Sequence, residues 1–254
     1  MKKYIFASAV IISMLLVSVN ASADGCARWY IKRRGNDTPI FPSEANEVSE
    51  HGGYFIDLTA AEKQEKVLYL TFDAGYENGN ISKILDVLKE KEVCSAFFLL
   101  DNIILKNTDL VKRMTDEGHL VCNHTRNHKN LSSADENEIK ENLASLERIY
   151  TECTGAQMSK YFRFPEGAYS IDAIKAVDKL GYKTVFWSFA YEDWDNCRQM
   201  SEERAIRKIL DNTHPGAIIL LHPTSSTNAN IMTDLIDAWR QMGYSFGSLD
   251  DLCR

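Results

Sequence analysis

The chain has 254 residues, of which 44% are hydrophobic, enough for one large domain or two small ones with a sizeable core. Its formal net charge of −7 speaks against nucleic acid as a partner. Six cysteines are present without a C-x-x-C pair, which argues against a thiolate zinc site.

The N-terminus reads MKKYIFASAVIISMLLVSVNASADG. Lys2 and Lys3 precede an apolar run from Tyr4 to about Val19, and Ala21-Ser22-Ala23 follows. That order is a charged region, an apolar region and a small-residue cleavage site, so residues 1–23 are expected to be a secretory signal cut after Ala23. The alternative is an uncleaved anchor, the one way this chain would meet a membrane, and the run is marginal for a span. Export permits disulfides. Cys26 and Cys253 lie near the two ends of the mature chain, and a bridge between them would close nearly all of it. Cys94 and Cys122 sit in apolar runs and read as buried thiols.

Residues 24–66 are polar and rich in turn residues, as in IKRRGNDTPIFPSEANE, and read as an extended arm. Its IKRR run reads as solvated charge rather than as a contact for an anionic polymer. A regular alternation begins at Val67. VLYLTF is a buried strand, and ISKILDVLKEK is a helix with Ile81, Ile84, Leu85 and Leu88 on one face. VCSAFFLL is a strand, TDLVKRMTDEG a helix closed by Gly118, and HLVCN a short strand. A long amphipathic helix runs to Gly155, and KYFRF is the next strand. SIDAIKAVDKLG, SEERAIRKILDNT and NANIMTDLIDAWRQMG are helices, separated by the strands YKTVFWSF and GAIILL and followed by a last strand, YSFGSL.

About seven strands thus alternate with about six helices, which implies an α/β fold with a parallel sheet. No G-x-G-x-x-G follows a strand, so nothing favours a dinucleotide site, and a barrel of fewer than eight strands is preferred to an open doubly wound sheet. The chain is expected to be a monomer.

In such folds chemistry collects at the C-terminal ends of the strands. There the sequence puts Asp73, then His124 and His128, then Arg163, then Asp193 and Trp194, and finally His222. His124 and His128, four apart just past a strand, suit a shared divalent ion, although such a pair taken alone is also an ordinary surface arrangement. Asp73 ends an apolar run and is partly desolvated; the competing role of helix cap is weak, because the next helix starts several residues later. His222 is a candidate general acid, its ordinary pKa lying near neutrality. Arg163 and Asp193 are either a structural ion pair or the groups that hold the base and the acid. Trp187, Tyr191 and Trp194 suit a sugar-binding wall, or else the core.

The segments TFDAG, HTRNH, RFPEG, EDW and LLH stand in the order and spacing of the NodB-like polysaccharide deacetylases, carbohydrate esterase family 4. The resemblance runs from about Val67 to the C-terminus, so 67–254 is identified as the deacetylase domain. The GYENG extension, and Trp29, Asn36 and Pro39 in the arm, are similar to the branch that de-N-acetylates muramic acid in the peptidoglycan of sporulating bacteria. The resemblance implies a deformed (β/α) barrel and a divalent metal, zinc first, with cobalt or manganese as alternatives. It also implies hydrolysis of N-acetyl groups on a cell-wall glycan, peptidoglycan with N-acetylmuramic acid or N-acetylglucosamine as the sugar. Asp73 resembles the base that activates water, His124 and His128 the metal ligands, and Arg163 the residue that orients the base. Asp193 resembles the partner of the acid and His222 the acid itself. Leu220 and Leu221 would border the acetyl methyl group, and Glu166 and Trp194 would contact substrate.

Two departures stand out. The second aspartate usual in the first motif is Ala74 here, so Asp73, Glu77 or water would have to complete the metal shell. Glu166 stands where the family often carries an aromatic or basic residue, which should disfavour a substrate carboxylate unless Arg126 or a lysine offsets it. The competing functions are a glycan-binding protein with a degenerate site, and an O-acetyl esterase on another polysaccharide.

Overall fold

The computed structural model describes residues 25–252; the signal reading for 1–23 and the pairing proposed for Cys253 lie outside them. The chain opens with β1 (Ala27–Arg28), the hairpin β2 (Lys32–Arg34) and β3 (Asp37–Ile40), α1 (Ala45–Glu50), β4 (Gly53–Tyr54) and α2 (Leu58–Lys63). Then come β5 (Val67–Ala74), α3 (Ile81–Glu90), β6 (Ala96–Leu99), α4 (Asp101–Lys106), α5 (Thr108–Asp116), β7 (Leu120–Asn123) and α6 (Glu136–Thr154). β8 (Tyr161–Phe162), β9 (Ala168–Tyr169), α7 (Ile171–Lys179), β10 (Lys183–Val185) and α8 (Glu202–Leu210) follow. The chain closes with β11 (Ala217–Leu221), α9 (Ser226–Gln241), β12 (Ser245–Phe246) and α10 (Leu249–Leu252).

The main sheet runs β11-β5-β6-β7-β8-β10-β4, with β12 also on β5, and every pairing in it is parallel. The sheet curls until the segment after β10 meets β11. There Ser188 N–H donates to Ile218 O at 3.0 Å and Leu220 N–H to Phe189 O at 2.9 Å. This irregular seam makes the barrel a deformed one, as the strand count and the family resemblance both led us to expect.

Alternation along β5 sorts its side chains onto two faces. Leu68, Leu70 and Phe72 join the outer core with Ile81, Ile84, Leu85 and Leu88 of α3. Tyr69 packs inside the barrel with Phe98, Cys122, Val185 and Ile218. Thr71 and Asp73 continue that inner row, so Asp73 arrives at the mouth of the barrel facing inward.

Several expectations are corrected. The extended arm is a folded segment: it carries α1 and α2, and β4 joins the sheet beside β10 through Thr184↔Gly53 and Val185↔Tyr54. Its elements are too short to show a period, but Val48, Phe55, Ile56 and Ala60 are buried. Gly53 is required by close approach, since a Cβ there would lie 2.4 Å from Val48 Cγ1. The strand read in YKTVFWSF stops at Val185, because the carbonyls of Val185 and Phe186 accept from the Arg163 guanidinium. Cys122 is buried as expected, whereas Cys94 is exposed in the turn before β6. Among the described residues no helix is long and apolar enough to cross a membrane.

Candidate active site

Asp73 and Arg163 form the innermost contact of the site. Arg163 is fully buried, and its Nη1 donates to Asp73 Oδ1 at 2.7 Å. The other guanidinium donors go to Val185 O at 2.9 Å, Thr71 Oγ1 at 2.9 Å and Phe186 O at 3.3 Å. Its plane lies 4.1 Å over the centre of the Phe98 ring. A buried cation this fully satisfied is held in one orientation, and so is the carboxylate it touches. Burial alone would push the Asp73 carboxyl up, but the positive charge of Arg163, helped by His222, holds it below its usual range.

The histidine pair follows from the end of β7. Asn123 is buried, with its amide bonded to Leu143 O at 3.1 Å and its Oδ1 accepting from Thr125 N–H at 3.0 Å. Thr125 and His128 both take positive φ, 68° and 61°. For a β-branched residue that is a strained backbone, and it sets the turn that brings His128 back over His124. The two ring centres lie 5.1 Å apart. His124 Nδ1 is 2.9 Å from the Arg163 carbonyl oxygen, which can only accept, so Nδ1 carries the proton and Nε2 is bare. That bare nitrogen lies 3.6 Å from Asp73 Oδ2, the oxygen that Arg163 leaves unused. Burial drives the His124 pKa down to about 4, so the ring is neutral at physiological pH.

Neutral imidazole nitrogens beside a carboxylate oxygen are the donor types a zinc-like ion takes. The set is short of a ligand, however: among the described residues no group of three or more His, Cys, Asp or Glu side chains comes together at metal-binding spacing. Ala74 offers no donor, and Glu77 is not a substitute. Its Oε1 accepts from Gly79 N–H and its Oε2 from Ile81 N–H at 3.1 Å, so Glu77 closes the N-terminus of α3. The carboxylate that closes that helix is therefore Glu77's rather than Asp73's, which agrees with the reading of Asp73 as something other than a cap.

Across the mouth stands the second pair. Asp193 is buried, and its Oδ1 accepts from His222 Nδ1 at 2.7 Å while its Oδ2 accepts from His222 N–H at 2.8 Å. Burial would lower the His222 pKa, but Asp193 outweighs it and raises the net value, with a further push from Asp73. Asn228, which sequence reasoning passed over, donates to Asp193 Oδ2 at 2.6 Å.

Asp73, His124, His128, Leu220 and His222 line one cavity of about 650 Å³, together with Trp187, Tyr191 and Trp194. Leu220 turns into it as expected; Leu221, its neighbour on the strand, faces the outer core, and its expected place beside the substrate is corrected. Trp194 is 58% exposed and stands edge-on to His222. Glu166 sits at φ 58° on the rim and pairs with Arg28 at 2.8 Å. The cation that offsets Glu166 thus comes from the arm. Arg126, expected in that role, instead holds Asp101 at 3.1 Å. Arg28 is fixed by pairing of β1 with β9 and by Trp29, whose Nε1 donates to Trp187 O at 2.8 Å. Gly167 admits this packing, since a Cβ there would lie 2.8 Å from the Trp187 ring.

Comparison with known proteins agrees with this geometry. The polysaccharide deacetylase family profile matches residues 60–185. The peptidoglycan-N-acetylmuramic acid deacetylase PdaA of Bacillus subtilis is 37% identical over 228 residues, covering 88% of this chain and 84% of the relative. The solved structure of Bacillus subtilis PdaA, a family 4 carbohydrate esterase, superposes with a TM-score of 0.85 at 36% identity, covering 91% of this chain and 98% of that one. A peptidoglycan-N-acetylglucosamine deacetylase of Bacillus cereus is 33% identical over 168 residues, 66% of this chain and 60% of the relative. The chain belongs to the polysaccharide deacetylase family.

Proposed function

We propose that the chain removes N-acetyl groups from peptidoglycan. One observation carries the reading. Asp73 and His222 face a single cavity, and each is held by a buried partner of opposite charge, Arg163 and Asp193. The pKa of Asp73 is lowered and that of His222 is raised, so one is poised as a carboxylate and the other as an imidazolium. Two titratable groups pushed apart in this way divide into base and acid.

The steps follow from those states. Asp73, kept ionised and oriented by Arg163, takes a proton from the attacking water. The acetyl methyl group lies against Leu220, and the sugar rests on the exposed face of Trp194. His222 gives its Nε2 proton to the departing amine, which is a poor leaving group without it, while Asp193 steadies the ring through Nδ1. A divalent ion, zinc or else cobalt or manganese, would rest on His124 and His128 with water completing its shell, and would supply positive charge beside the amide oxygen.

The substrate of the Bacillus subtilis relative supports N-acetylmuramic acid as the sugar, with N-acetylglucosamine second. The Arg28–Glu166 pair supports the same choice, because it leaves no bare anion facing a muramic carboxylate. We further read residues 1–23 as a cleaved signal, which places the mature chain, a monomer, outside the cytoplasm at the cell wall. Ala74 favours a second reading, a glycan-binding protein with a degenerate site.

The test is mass spectrometry of peptidoglycan and chitin oligomers incubated with the protein, with and without zinc or cobalt. Metal-dependent loss of acetyl groups is expected. Absence of acetate release from every glycan at saturating metal would overturn the reading in favour of binding alone.

A further inference from the structure

We propose that Asn228 is a positioning residue for the acid, and that it works by denying the Asp193 carboxylate its freedom to rotate. The inference rests on the reading of His222 as the general acid. Asn228 is fully buried in the first turn of α9, where Ser225 caps the helix by accepting Asn228 N–H at 3.1 Å. Its Nδ2 donates both to Asp193 Oδ2 at 2.6 Å and to the His222 carbonyl at 3.0 Å. A carboxylate and a carbonyl can only accept, so the amide nitrogen must lie on that side and the amide oxygen on the other. There Oδ1 receives the hydroxyl of Tyr191, which is itself a wall of the substrate cavity.

The effect on Asp193 follows from counting its donors. Oδ1 receives one, from His222 Nδ1, and Oδ2 receives two, from His222 N–H and Asn228. Without Asn228, the backbone N–H of His222 remains as a single pivot at Oδ2. The carboxylate is then held by His222 alone, one donor on each oxygen, with nothing outside the pair to fix its rotation, and the Nδ1 contact that orients the imidazole loosens. With Nδ1 committed to Asp193, the proton on Nε2 faces the cavity; with Nδ1 released, that direction is no longer enforced. Gln199 ties the same loop to α9 independently: its Nε2 donates to Asp193 O at 3.1 Å and its Oε1 accepts from the Ser225 hydroxyl.

The experiment uses the full chain with Asn228→Ala and Tyr191→Phe. The first readout needs no turnover: the proton NMR signal of His222 Nδ1–H, carried downfield by its short bond to Asp193, should broaden or move upfield in Asn228→Ala. The second is kinetic, with acetyl release from peptidoglycan fragments: kcat should fall about 10- to 100-fold, the worth of a hydrogen bond to a charged group, with KM within about twofold. Tyr191→Phe removes only the hydroxyl that orients the amide, and should give a shift of the same sign and about 3- to 10-fold in kcat. It also serves if Asn228→Ala does not fold. An unmoved Nδ1–H signal together with kcat within about twofold of the parent would overturn the proposal. A moved signal in a protein that releases no acetyl group from any glycan would leave the positioning role standing and remove the hydrolase reading.

Discussion

Arg163→Met is the substitution with the most to say about this site. Methionine preserves much of the volume but removes every donor. Asp73, 8% exposed, would then lose its one fully buried counter-charge, and Thr71 Oγ1, Val185 O and Phe186 O would lose theirs. Breaking a buried ion pair by deleting one partner costs about 3–5 kcal/mol, because the remaining charge stays in a poor solvent. For a chain of this size that is a fall in Tm of about 6–20 °C, at about 2–4 °C per kcal/mol. The pH dependence has a definite sign. In the parent the Asp73 pKa is lowered on folding, so its contribution is present above the unfolded value and is lost as pH falls through the folded one. The Tm gap between parent and variant should therefore be widest near neutrality and narrow in acid. Asp73→Asn in the Arg163→Met background should recover part of the loss, since no buried charge is left. Calorimetry from neutral to acid pH on the parent and the two variants decides it. A loss under about 1 kcal/mol that does not change with pH would show that Asp73 is not held by Arg163.

The acid makes a second prediction: activity should fall as pH rises through a His222 pKa above the ordinary imidazole value, and Asp193→Asn should move that alkaline limb to lower pH. A limb unchanged in Asp193→Asn would mean that another group supplies the proton. Ala74→Asp adds a carboxylate to a cavity of about 210 Å³ that Ala74 shares with Asp73, His124 and His128. Zinc affinity by calorimetric titration should rise roughly tenfold or more, and no rise would place the ion elsewhere. Arg28→Ala leaves Glu166 unpaired on the rim. The KM for muramic acid oligomers should rise by up to about fivefold, the range of an exposed pair, while the KM for neutral chitin oligomers stays put. An equal change on both substrates would remove the charge argument.

The sequence exposed the site better than it exposed its supports. Buried strands broken by amphipathic helices mark their own C-terminal ends, so Asp73, His124, Arg163, Asp193 and His222 could be collected by position. What escaped was long-range and carried by single atoms. β4 is a two-residue strand preceded by His51 and Gly52, too short for any period to announce it. Arg28 belongs to the arm and meets Glu166 across 138 residues of chain only because β1 lies against β9. Asn228 was in view as the first residue of a helix, but α9 starts at Ser226. That earlier start puts its side chain in the first turn, where polar groups serve something beyond the helix. Glu77 looked like a spare carboxylate, and only the path of the chain shows both of its oxygens committed to α3.

Arg163 also changes what the survival of a residue means. Its guanidinium takes the carbonyls with which β10 would otherwise have continued its ladder, and the barrel closes by the irregular seam beyond them. A descendant that had ceased to turn over substrate would still lose stability without this arginine. Its presence therefore testifies to architecture and is silent on activity. His222 is different, with a side chain 26% open to solvent and its bonds running to neighbours at the mouth. Selection on folding alone would let it drift, so in any set of related chains it is the histidine, rather than the arginine, whose retention reports a working enzyme.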